Sequence, residues 1–98
     1  MNASLKYSIN EINRIMSCCD GFRLSTMSII ETNDSYTFTA SCYAHSLEKV
    51  FILATYHNII INHYGNLVFS ISIKKHPSFI KKDTWLQKLC KTFFKNLI

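Results

Sequence analysis

The sequence predicts an α+β fold in the order αββαββα, with an antiparallel sheet of about four strands and helices packed on one face. Three observations carry this expectation. Apolar residues recur at helical spacing near the start of the chain. Two pairs of segments rich in β-branched and aromatic residues are each split by a turn signal. A lysine-edged amphipathic stretch follows Pro77.

Leu5, Ile9, Ile12, Met16 and Cys19 fall at alternating steps of four and three residues, an apolar stripe along one helical face. Ser8 with Glu11 reads as a capping box and Asp20-Gly21 as a stop, which predicts a first helix over about 8–19. Residues 22–31 and 35–43 flank Thr32-Asn33-Asp34 and read as a hairpin. In its second strand Tyr36, Phe38, Ala40 and Cys42 alternate with Thr37, Thr39 and Ser41, so one face is buried.

Residues 46–58 carry Leu47, Val50, Phe51, Ala54 and Asn58 at helical spacing behind a possible Ser46 cap. Val50–Tyr56 is also compatible with a buried strand, since short apolar runs do not discriminate. We read this segment as a helix. Ile59–Tyr64 and Leu67–Lys74 bracket Gly65-Asn66, a two-residue hairpin signal that sets Ile60 opposite Ile71 and Tyr64 opposite Leu67. Beyond Pro77, Asp83 or Thr84 caps a last helix to about residue 97. Its apolar face holds Leu86, Leu89, Cys90, Phe93 and Leu97, and Lys88, Lys91 and Lys95 line the other side.

The chain of 98 residues is read as one domain, 1–98, large enough to fold without staples. It lacks an apolar run long enough to span a membrane. Met1–Leu5 lack a signal-peptide pattern, and the four cysteines lack the spacing of a secreted disulfide framework. A cytoplasmic setting is therefore expected. Ile, Asn, Lys, Tyr and Phe are frequent and Gly, Ala, Arg and Pro scarce, a bias that points to an AT-rich genome such as that of a phage or mobile element.

Chemistry-bearing motifs are few. His57 and His63 lie too far apart on one helix or one strand to share an ion. Cys42-x-x-His45 and the adjacent Cys18-Cys19 lack the paired spacing of a zinc site. On a helix one of Cys18 and Cys19 faces the core and the other the periphery. There is no glycine-rich phosphate loop, no G-x-S-x-G and no H-E-x-x-H, and carboxylates total 6. No enzyme, metal or cofactor is expected.

Charge is the strongest non-random feature. Net charge is +5, and residues 66–98 hold seven lysines against Asp83 alone. The candidate partner-binding residues are Lys74, Lys75, Lys81, Lys82, Lys88, Lys91 and Lys95, with Trp85 among them. A basic surface of this kind suits an acidic protein or a phosphate backbone. Yet the two arginines, Arg14 and Arg23, lie outside it. The element order is similar to that of small secretion chaperones, although those tend to be acidic. The expected function is that of a small non-catalytic binding protein. It would be a stoichiometric inhibitor of the immunity-protein or anti-defence type, whose partner presents an acidic or nucleic-acid-binding surface. The alternative is a nucleic-acid-binding module using the same lysines.

Overall fold

The computed structural model describes residues 2–79. Its elements are α1 (Ala3–Ile15), β1 (Arg23–Glu31), β2 (Ser35–Ser41), α2 (Leu47–Tyr56), β3 (Ile60–Gly65) and β4 (Val68–Lys74). Single 3-10 turns occur at Ala44–Ser46 and Pro77–Phe79. The helix–strand order matches the expected α+β order over this span. The last expected helix lies outside the described residues.

The four strands form one sheet in the order β1-β2-β4-β3, each neighbour antiparallel. Alternation along β2 gives the sheet its two faces. Tyr36, Phe38 and Ala40 are buried, while Ser35, Thr37, Thr39 and Ser41 are half-exposed on the opposite side. The register carries this division across the sheet. Phe38 lies beside Ile71 and Ile71 beside Ile61, while Ala40 lies between Leu24 and Phe69. Ile12, Ile15 and Met16 of α1 and Val50 and Ala54 of α2 complete the core over that face. Burying each large side chain there contributes about 1.5–3 kcal/mol. Both helices therefore share one face of the sheet.

Helix α1 starts earlier than its sequence suggests. Asn2 is the cap, its Oδ1 accepting from Leu5 N at 2.7 Å. Ser8 is instead a mid-helix residue, 1% exposed, on the face that meets the core. Met16 and Cys19 belong to the turns that follow. Those turns preserve helix-like spacing through Cys19 N→Met16 O at 3.0 Å and Phe22 N→Cys19 O at 3.2 Å. Helix α2 is a helix, as read, but Ser46 makes no side-chain capping bond and is itself buried.

The β3–β4 hairpin is displaced by one residue from the expected register. The turn residues are Asn66 (φ 50°) and Leu67 (φ 66°), both left-handed as a type I′ turn requires. Gly65 pairs with Val68, and the register shifts between His63 and Gly65. Ile61, not Ile60, therefore stands opposite Ile71, and Ile60 faces Ser72. Strand β1 carries a larger irregularity. Ser25 pairs with Thr39 but Ile29 with Phe38, so Thr26, Met27 and Ser28 bulge from the sheet edge.

The corner between α1 and β1 depends on Gly21. Its φ is 71°, and a Cβ there would lie 2.5 Å from Tyr43 Cδ1. Tyr43 N donates to Asp20 O at 3.2 Å, which holds the ring against this corner. Gly65 has φ 106° with nothing within 4 Å of a hypothetical Cβ, so only backbone conformation opposes a side chain. Gly65→Ala should therefore cost about 1–2 kcal/mol in urea unfolding. Gly21→Ala should cost more, and Tyr43→Ala in the same chain should return part of that loss. Equal costs at both glycines, unchanged by Tyr43→Ala, would contradict this reading.

Candidate functional site

Three ion pairs are dispersed over the described residues. Arg14 bonds Glu11 within α1, and its guanidinium holds the Glu11 carboxyl below the usual range. His45 Nε2 lies 3.0 Å from Asp20 Oδ2, both side chains exposed. Cys42 is in the core while His45 is on the surface, so the two do not converge. His57 caps the C-terminus of α2, its ring 5.0 Å from that of Tyr56, and position 63 lies in β3. Among the described residues no group of three His, Cys, Asp or Glu side chains could hold a metal ion.

Of the three described cysteines, Cys19 and Cys42 are packing residues. Cys19 is buried and Cys18 exposed, as the 100° turn between successive helical positions implies. Burial, followed by the neighbouring Cys18, pushes the Cys19 thiol up to about 11, and burial also raises Cys42. A nucleophilic cysteine needs a shift in the other direction.

The lysines named above separate into different roles. Lys74 is exposed. Lys75, one residue past β4, continues the alternation of Phe69, Ile71 and Ile73 and points inward. Its Nζ lies 2.8 Å from Glu31 Oε2 and 4.9 Å from the centre of the Tyr36 ring, with the side chain 9% exposed. It closes the end of the core rather than offering a free cation. Lys81, Lys82, Lys88, Lys91, Lys95 and Trp85 lie outside the described residues. A cleft of about 650 Å³ adjoins the Lys75–Glu31 pair, between the start of α1, Thr32 and Phe79. The two charges in its wall satisfy each other.

The sheet's other face is the more distinctive surface. Among the described residues no helix packs on it. Its centre is a field of hydroxyls (Thr37, Thr39, Ser70 and Ser72), with Thr37 and Ser72 bonded at 2.7 Å. Ile30, Val68 and Ile60 surround them, 65%, 38% and 61% exposed. Among the described residues, Arg23 and Lys74 are its only ionic groups by register, since their partners Ser41 and Ser35 lie on this side. Met27 projects from the β1 bulge at 95% exposure. Hollows of about 310 and 240 Å³ open on either side, where the bulge parts β1 from β2. One is lined by Arg23, Ser25, Ser41 and Val68, the other by Ser28, Ile30, Thr37 and Ser70.

Sequence reasoning missed this surface. Its signal was the polar run Ser25-Thr26-Met27-Ser28, which interrupts alternation where β1 should have been regular. The chain matches no protein-family model, no curated protein and no solved structure.

Two measurements follow from these placements. Lys75→Ala should lower stability by about 1–2 kcal/mol, because it strands Glu31 and uncovers Tyr36, whereas Lys74→Ala should stay within about 0.5 kcal/mol. Brief alkylation of the native protein with peptide mapping should label Cys18 and spare Cys19 and Cys42 until denaturant is added.

Proposed function

We propose that this chain is a small non-catalytic binding protein that neutralises a protein partner by stoichiometric capture, as immunity and anti-defence proteins do. The partner sits on the uncovered face of the sheet. The observation that carries this reading is Met27, an almost fully exposed apolar side chain on a strand bulge whose flanking residues Ser25 and Ser28 each line a hollow. An exposed apolar knob near hollows, with exposed aliphatic residues around a field of hydroxyls, suits a protein surface better than a small polar substrate. The scatter of titratable groups supports a non-catalytic role, because acid–base chemistry needs them convergent. The lysines beyond residue 80 draw in the acidic or nucleic-acid-binding surface of that partner. The setting is intracellular. In keeping with that, no helix among the described residues is long and apolar enough to cross a membrane.

A second reading has its own support. The rings of Tyr7, His76 and Phe79 cluster at 5.2–6.3 Å where the chain enters the lysine-rich stretch. Exposed rings beside lysines stack single-stranded bases. Binding of an oligonucleotide that falls steeply with salt, and falls further in Tyr7→Ala, would favour this module over protein capture.

Met27→Asp with Ile30→Asp should leave the melting transition nearly unchanged and abolish capture of the partner from a host lysate. Lys88, Lys91 and Lys95 changed together to Glu should slow association at low salt and matter little at high salt. Unaltered capture by the Met27/Ile30 variant would remove the sheet face from consideration.

A further inference from the structure

Among the described residues the outer edge of β3 is open. Strand β3 ends the sheet order, and among the described residues nothing pairs with its far side. The register fixes which backbone groups face outward. Lys75 N donates to Asp34 O at 2.7 Å, so Asp34, Tyr36 and Phe38 turn their backbone groups toward β4. Antiparallel alternation then directs Ser70 and Ser72 of β4 toward β3. Their partners Asn62 and Ile60 are satisfied inside the sheet, whereas the N–H and C=O groups of Ile61 and His63 point away from it.

Natural sheets guard such an edge with lysine, proline, an inward charge or a bulge that disrupts pairing. The opposite edge is guarded. β1 begins at Arg23, ends at Glu31 and is broken by the Met27 bulge. β3 has no Lys, Pro or acid, and its one register shift falls between His63 and Gly65, past the Ile61–His63 stretch. Its uncharged character extends well beyond the strand, for no Asp, Glu, Lys or Arg occurs from Val50 to Ile73. Ile60 beside the edge is 61% exposed.

Charge-free composition selects the kind of partner. Contacts with a different protein gain specificity from opposite charges. In a two-fold contact, residues near the axis meet their own copies, so any charge there repels itself. An open edge cleared of charge is suited to itself. We infer that β3 pairs antiparallel with β3 of a second copy of this chain, about a two-fold axis at Asn62. Ile61 of each copy then stands opposite His63 of the other, and their outward N–H and C=O groups form four hydrogen bonds. Asn62 meets Asn62 of the second copy on the uncovered face, as neutral amides. Two four-stranded sheets become one continuous sheet. The bulged β1 edges lie at its two ends, so the Met27 surfaces stay free. This inference does not rest on the proposed function.

The test uses the full chain in sedimentation equilibrium up to about 500 μM, where a self-association with Kd near 100 μM is already visible. The wild type should approach the mass of two chains. N62K and N62D should each remain at the mass of one chain with an unchanged circular-dichroism spectrum, because like charges meet at the axis. An equimolar mixture of N62K and N62D should recover the two-chain mass. Amide exchange at Ile61 and His63 of the wild type should also slow as concentration rises, a readout that does not depend on how the variants fold. A wild type that stays single-chain throughout, or exchange at those amides that ignores concentration, would overturn the inference.

Discussion

The structure depends on one constraint: the central strands β2 and β4 put their large apolar side chains on a single face, and that face must be covered. Tyr36, Phe38, Phe69 and Ile71 are all 1% exposed or less. The described helices available to cover them are short, 13 and 10 residues. Neither would be stable alone in water, so each persists because its apolar side completes this core. The constraint reaches the periphery as well. Ser8 is small and buried where α1 meets the core, and Lys75 turns its ammonium over Tyr36 to close the core's end.

The other face carries no described helix, and its composition shows how such a face stays well ordered. Threonines and serines supply β-propensity with little apolar area. The hydroxyl bond between Thr37 and Ser72 satisfies two of them across the β2–β4 pair. Larger apolar groups appear only around this field, at Ile30, Val68, Ile60 and Met27. Charge is segregated too. The described body nearly balances its acids and bases through local pairs, leaving most of the net charge of +5 to the lysines beyond residue 80. Attachment and attraction thus reside in different parts of the chain.

Element identity was legible because periodicity reports burial directly. The alternation from Tyr36 to Ala40 and the helical spacing through Leu5, Ile9 and Ile12 each had one solution. Boundaries were less legible where two signals overlapped. Ser8 and Glu11 imitate a capping box, yet Asn2 carries the cap and the serine is core. In Ile59-Ile60-Ile61 every register opposes an isoleucine to β4, so hydrophobic pattern could not choose among them. The choice was made by the extra residue ahead of Gly65 and by left-handed Asn66 and Leu67. Bulges are set by backbone pairing rather than by side-chain type, which is why the break in alternation at Ser25-Thr26-Met27-Ser28 did not by itself reveal the bulge. The inward turn of Lys75 was illegible for a related reason. Its charge suggested solvent, but its place one residue past β4, continuing that strand's alternation, put it on the core side.

The central claim is that one sheet face holds the fold and that no described element covers the other. It is tested most directly by urea unfolding of lysine substitutions at successive β2 positions. Phe38→Lys and Ala40→Lys should unfold the domain or remove most of its stability, since each puts a charge into the core. Thr37→Lys and Thr39→Lys should retain a cooperative transition and lose no more than about 1 kcal/mol, the range of strand preference. Comparable losses at all four positions would contradict the account, because they would mean that both faces of the sheet are buried.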